Sequence, residues 1–291
     1  MCAVASAMIF AVYDILINNQ SIVAAFILLL LSIALYGFSF YNFKTFLKLV
    51  PSISINSDYG TIAIGRNTFH VDDIEDIELT GKYLFNYIIK YPMEGMYLRL
   101  KNGTSYYLYD DLYENLYELK SYINKTKTNQ QKPQSVLVAN AKDIELKNTE
   151  TFKNNLFKSS TFIFYLIVVI IFLIKLFNEQ LSYLTLIFFV FFLCLWSAIN
   201  IWLLNYFVIA DNFLIIKNHF LFWKKHIEHI ENIKEIAFER SNFQYRSVRI
   251  ITRDYKSNLY PVPTLSKKIL LKFKEALQKK KKDIHFRDEE L

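Results

Sequence analysis

Two strings of residues in this chain have types and spacing that chemistry could use. Asp72, Asp73, Glu75, Asp76 and Glu78 crowd carboxylates together in the way that paired acid–base catalysts or a divalent-cation site would require. They alternate, however, with Ile74, Ile77 and Leu79, the pattern of a half-buried strand with a solvated face. A comparable stretch later in the chain has Asn232 and Lys234 in place of acids. The second string is His226, Glu228 and His229, with His219 near it. Zinc needs three or four converging ligands, and no further His or Cys stands at usable spacing, so the string reads as polar residues in a turn between strands. Serine, histidine and aspartate are plentiful, but no nucleophile-elbow or other catalytic spacing accompanies them. All six glycines (Gly37, Gly60, Gly65, Gly81, Gly95 and Gly103) lie in the first 103 positions, and neither GxGxxG nor GxxxxGK occurs among them. A phosphate-cradling loop therefore has no place in the chain. Cys2 and Cys194 are too few for a disulfide framework or a cysteine zinc site. The residues predict no catalytic group, no cofactor and no metal.

The elements that carry these residues follow from the apolar pattern. No charged residue occurs in 15–43 or in 181–210, and each run exceeds the roughly 20 residues that cross about 30 Å of hydrocarbon. Membrane helices are expected at 22–43 and 181–204. Each is preceded by a shorter apolar stretch, 3–17 and 160–177, across a polar knot at 18–21 and at 178–180, so two transmembrane hairpins are expected, at 1–43 and 159–205. The first stretch has no basic residues before it, which favours a helix over a secretory signal. Lys44, Lys48, Lys153, Lys158, Lys217, Lys224 and Lys225 flank the hairpins, whereas the hairpin tips hold only Lys175 and Glu179. That bias predicts a multi-pass protein of the cytoplasmic (inner) membrane with both termini and the intervening domains cytoplasmic. Asp14 and Lys175 sit at similar depth near the two tips, and an intramembrane ion pair between them would offset their cost, with independent snorkelling as the other outcome.

The chain also repeats itself at a spacing of about 150 to 160 residues. Ile53 to Asn56, a turn, and Thr61 to Ile64 correspond to 207–210, a turn at Asp211 and Asn212, and 213–216. The segment 73–79 matches 229–236 with its apolar positions in register, and 96–109, with an Asn102-Gly103 turn, matches 247–260. Each unit ends in an amphipathic helix. In the first, Asp111 and Glu114 make a capping box ahead of Leu112, Leu116, Leu119 and Ile123; in the second, Thr264 caps a face of Leu265, Ile269, Phe273 and Leu277. The glycines then read as turn chemistry of one copy that the other does without.

The apolar positions Val71, Ile74, Ile77 and Leu79 in the first copy, Ile227, Ile230, Ile233 and Ile236 in the second, and the two closing helices resemble the pleckstrin-homology-like domains of bacterial membrane proteins. The resemblance implies an α+β integral membrane protein: two transmembrane helical hairpins, each followed by a small sheet or barrel capped by a C-terminal helix. The expected organisation is hairpin 1–43, domain 50–125, linker 126–158, hairpin 159–205, domain 206–283 and tail 284–291. It also implies a scaffold or binding module with no catalytic residues.

One further feature points to a partner. Lys267, Lys268, Lys272, Lys274, Lys279, Lys280, Lys281 and Lys282 gather on the last helix and its exit. Lysines near an anionic leaflet contribute about 1 kcal/mol each, so this end is a candidate lipid contact; a solvated face with cations at the helix C-terminus is the other reading. Nucleic acid is not expected, because no aromatics interleave these cations. The expected function is a non-enzymatic scaffold that binds lipids and a membrane or cytoplasmic protein, or a second copy of itself. An envelope or secretion subunit and a toxin-immunity protein both fit. The alternative is a transport accessory or lipid-handling protein.

Overall fold

The computed structural model describes residues 22–86, 90–128, 149–156, 160–178, 183–240 and 245–288. The chain divides into two compact units, Met1–Leu119 and Lys120–Leu291. In the first, helix α1 (Ile22–Leu49) leads into strands β1 (Ile53–Asn56), β2 (Thr61–Ile64) and β3 (Asn67–His70), which form one antiparallel sheet in the order β1-β2-β3. A 3-10 turn at Val71–Asp73 passes the chain to a second sheet, β4-β5-β6, built from β4 (Ile74–Asn86), β5 (Lys90–Leu100) and β6 (Ser105–Tyr109). Helix α2 (Leu116–Thr128) follows, and the boundary between units falls within it.

The second unit contains β7 (Thr149–Phe152), α3 (Ser160–Asn178), α4 (Tyr183–Leu203), β8 (Asn205–Ala210), β9 (Phe213–Asn218), β10 (Lys225–His229), β11 (Ile233–Arg240), β12 (Arg246–Thr252), β13 (Ser257–Pro261), α5 (Lys267–Lys280) and β14 (His285–Asp288). Its sheets have four strands each, β10-β9-β8-β7 and β13-β12-β11-β14.

The two copies match in detail below the level of elements. His70 and His229 both cap a 3-10 turn, their Nδ1 atoms accepting from the amides of Asp72 (3.3 Å) and Glu231 (3.2 Å). The Val71 amide donates to Gly60 O at 3.0 Å and the Ile230 amide to Asn212 O at 2.8 Å; Lys101 donates to Asp73 O and Arg253 to Asn232 O, both at 2.8 Å. The long central strands slip register at the same point, between Ile74 and Asp76 and between Ile233 and Glu235. Gly103, at φ +84°, is replaced at the equivalent turn by Tyr255 at φ +66°. This left-handed position is costly for a side chain, and the Tyr255 ring lies 4.4 Å from Lys234 Nζ in a cation–π contact.

The core of the second unit is a sandwich closed by α5. Phe273 is fully buried, stacked on Phe207 at 4.6 Å and edge-on to Phe152 at 5.4 Å. Leu265, Phe273 and Leu277 are in this core and Ile269 packs against it, which is the face the helical spacing predicts. The caps are different from those expected. Ser266, not Thr264, is the N-cap, and it makes no side-chain cap bond. In the first unit Asp110–Leu112 is a 3-10 turn and α2 starts later, at Leu116, so Asp111 and Glu114 do not frame its first turn.

The expected transmembrane hairpins at 1–43 and 159–205 are corrected. Among the described residues no helix is long and apolar enough to cross a membrane. The charge-free runs do not coincide with helices. The first lies partly outside the described residues, and α1 continues beyond it through Lys44 and Lys48 to Leu49. The second is divided between α4 and the buried strand β8. The integral-membrane fold class, the multi-pass inner-membrane placement and the lysine-based orientation all rested on those spans and fall with them. Two boundaries also move. Thr149–Phe152, inside the expected linker, pairs with β8, and His285–Asp288, in the expected tail, adds a parallel strand beside β11.

Candidate interaction surfaces

The carboxylate string is dispersed by the chain turn that carries it. Asp73 accepts from the His70 amide at 2.9 Å as half of a capping box, Glu75 pairs with Arg99 at 3.1 Å, and Asp72, Asp76 and Glu78 are exposed. In the histidine string, His226 Nε2 and Glu228 Oε1 lie 2.7 Å apart, His229 is engaged as the cap, and His219 stands elsewhere with its ring 4.8 Å from Tyr206. Burial, assisted by the charge of Lys153, lowers the His219 pKa, which favours the neutral ring. Among the described residues no group of three or more His, Cys, Asp or Glu could hold a metal ion. Asp14 lies outside the described residues, as does the side chain of Lys175, and so does any pairing between them.

The eight lysines at the C-terminal end separate into two classes. Lys267, Lys268, Lys272, Lys279 and Lys282 are exposed. Lys274 pairs with Asp288, and Lys280 Nζ donates to Asp211 O at 2.6 Å. Lys281 is 6% exposed; its Nζ donates to the carbonyls of Glu231 (3.0 Å), Ile233 (3.2 Å) and Ile230 (3.4 Å). It ties the end of α5 to the 3-10 turn that starts β11, a role its place in a lysine run conceals. Because a charged donor serving buried carbonyls contributes more than a neutral one, Lys281→Ala is expected to destabilise the second unit by about 2 kcal/mol. Lys268→Ala should change stability by less than about 0.5 kcal/mol. Trp196, Trp202 and Trp223 all lie in this unit, so urea unfolding followed by tryptophan fluorescence measures both.

Two aromatic surfaces were not singled out by the sequence reading. In the first unit Tyr83, Tyr97 and Tyr107 form a ring cluster, with centroids 5.1 to 6.3 Å apart. It borders an open cleft of about 580 Å³ lined also by Lys82, Phe85 and Tyr109. Burial, reinforced by the Glu78 carboxylate, raises the Tyr83 pKa, so its hydroxyl stays protonated. In the second unit the loop between β9 and β10 holds Phe220, Phe222 and Trp223 outward at 54%, 86% and 66% exposure. That loop is built from Asn218, whose Oδ1 accepts from the amides of Phe220 and Leu221, both at 3.0 Å, while its Nδ2 donates to Ile201 O at the end of α4 at 2.8 Å. Lys224 Nζ donates to Trp202 O at 2.8 Å and lies 3.9 Å from the Trp202 ring centroid. The signal in the sequence was Phe-Leu-Phe-Trp followed by two lysines, which the strand pattern around it obscured. Neither a protein-family model nor a curated protein matches the chain.

Proposed function

We propose that the chain is a non-enzymatic interaction protein, in which two pleckstrin-homology-like units accompany helices that seat on other protein chains. The observation that carries this reading is the apolar surface of the helices. On α1 Phe26 is 59% and Phe40 71% exposed, and on α4 Ile187 is 66% and Phe191 64% exposed. Leaving large side chains in water over successive turns forfeits about 1.5 to 3 kcal/mol per residue that burial would recover, and exposed patches on this scale mark association faces. Among the described residues, polar groups of the duplicated units serve caps, ion pairs and turns.

A photo-crosslinking phenylalanine analogue placed at Phe191 in the full chain, expressed in its native host, tests this. The expected result is one or a few discrete protein adducts, including a self-adduct if the partner is a second copy, that are absent when the analogue replaces the exposed Asp58. Identical adducts at the two positions, or none at Phe191, would overturn the reading.

A further inference from the structure

The loop between β9 and β10 has an unusual design. Aromatic side chains on a loop ordinarily fold back onto the nearest apolar surface, since each ring left in water is costly. Here the backbone prevents it. The Asn218 side chain holds the amides of Phe220 and Leu221, the Phe222 amide donates to Phe220 O at 3.1 Å, the Lys224 amide donates to Leu221 O at 2.9 Å, and the His219 amide donates to Leu204 O at 3.0 Å. Phe222 and Trp223 brace each other edge-to-face at 4.9 Å. The rings are thus fixed outward by hydrogen bonds, and the order of the loop does not depend on burying them. Trp202, itself 57% exposed, extends the aromatic surface at the end of α4.

Along the chain, the charge of the segment that carries the rings has one sign. Between Asp211 and Glu228 there is no carboxylate, while Lys217, Lys224 and Lys225 all fall in that interval. Lys217 and Lys225 are direct cross-strand partners in the β9–β10 ladder. Like charges opposite each other on one face of a sheet destabilise it unless an anion lies between them. A protruding aromatic edge, with Trp among its rings and a pair of cations set back on the adjoining strands, fits a layered partner. Its apolar stratum would take the rings, and its anionic stratum, a few ångströms further out, would take the ammonium groups.

From this geometry we propose that the β9–β10 loop docks on an anionic lipid surface, lying on it and not crossing it, with Phe220, Phe222 and Trp223 at the level of the headgroups and Lys217 and Lys225 against the phosphates. The site is distinct from the lysine-bearing helix α5, several of whose cations are committed internally. It is also independent of the protein contact proposed for α1 and α4, and it can fail or hold separately from it.

The test uses the full chain with Phe222→Cys, in a background where Cys2 and Cys194 are serine, labelled with an environment-sensitive dye. Vesicles of one part phosphatidylglycerol to two parts phosphatidylcholine are expected to shift the dye emission to the blue, with an apparent affinity that falls as salt is raised. Lys217→Gln with Lys225→Gln should weaken that affinity about 25-fold, from about fivefold per cation. In a separate sedimentation assay on the unlabelled chain, Trp223→Ala should weaken vesicle binding about tenfold. A shift of equal size with pure phosphatidylcholine, or one indifferent to both lysines, would overturn the anionic-lipid assignment. So would a dye that responds only to a lipid-free protein extract, which would make the loop a protein contact.

Discussion

Gly95→Ala is expected to unfold the second sheet of the first unit, with a loss of about 3 to 5 kcal/mol. Gly95 lies inside β5, not in a turn, and faces Gly81 across β4 and Tyr109 across β6. A Cβ built there meets Leu108 O at 2.2 Å and Tyr109 Cα at 3.0 Å. Both are backbone atoms of the neighbouring strand, so no rotamer change relieves the clash, and the ladder itself must separate. Gly103 is the contrasting case. Nothing lies within 4 Å of a Cβ there, so Gly103→Ala meets only the left-handed φ of +84° and should cost about 1 kcal/mol. Amide hydrogen exchange across β4, β5 and β6 distinguishes the two: protection should collapse in Gly95→Ala and persist in Gly103→Ala. Retained protection in Gly95→Ala would mean that the strands can part without losing the sheet.

Gly95 is therefore not a turn residue that the module can spare, in contrast to what the glycine distribution suggests. The second copy holds Ser247 at the corresponding place, opposite Pro261 as Gly95 is opposite Tyr109, and it is buried with its Cβ accommodated. The copies differ beside it, because β4 has an additional register shift between Glu78 and Gly81 that β11 lacks. A close approach of two backbones, here of β5 to β6, leaves no trace in composition or periodicity.

The parts of the fold that were legible are those fixed by local pattern. The strand hairpins and the apolar face of α5 repeat a period that the sequence displays, but the register between the copies differs from the sequence match: Val71 and Ile74 answer to Ile230 and Ile233, where the sequence pairs Ile74 with Ile230, and Gly95, not Met96, answers to Ser247. The strands β7 and β14 were missed for a shared reason. Each is only four residues long, begins in a polar context (Thr149-Glu150, His285), and owes its conformation to an open edge of a sheet formed by distant residues. The candidate surfaces divide in the same way. Of the acidic string, Glu75, Asp76 and Glu78 are exposed on β4, whereas Asp72 and Asp73 belong to the 3-10 turn before it, which alternation does not report. Lys281 was misplaced among surface cations because alternation does not report what covers a face.

The same limitation hides a buried polar pair on the second unit's sheet, and Arg249→Ala is expected to show it. On β11 and β12, Ile236, Phe238, Val248 and Ile250 face the core, so Glu235, Glu239 and Arg249 fall on the opposite face, which a sequence reading assigns to water. That face is covered instead: the side chains of Arg249 and Glu239 are 3% and 6% exposed. Arg249 Nε donates to Glu239 Oε1 at 2.8 Å, and its Nη1 donates to Ser257 Oγ at 3.0 Å. Glu235 pairs with Arg287 of β14 at 2.9 Å on the same face. Removing the guanidinium takes away the cross-strand charge–charge hydrogen bond to Glu239 and the bond to Ser257 in a site from which water is excluded, so Arg249→Ala should destabilise the second unit by about 3 to 5 kcal/mol. Arg249→Lys should recover only part of this, because an ammonium cannot reproduce the rigid fork that reaches Glu239 and Ser257 together. The double substitution Glu239→Leu with Arg249→Met removes both charges and keeps the volume, and should lie within about 1 kcal/mol of the parent. Urea unfolding of the parent, Glu239→Leu, Arg249→Met and the double variant, followed by tryptophan fluorescence, gives the coupling. A double variant as unstable as the sum of its single changes would mean that the pair is valued for its packing and not for its charge, while strong non-additivity would establish that each charge is tolerated on this face only because the other is there.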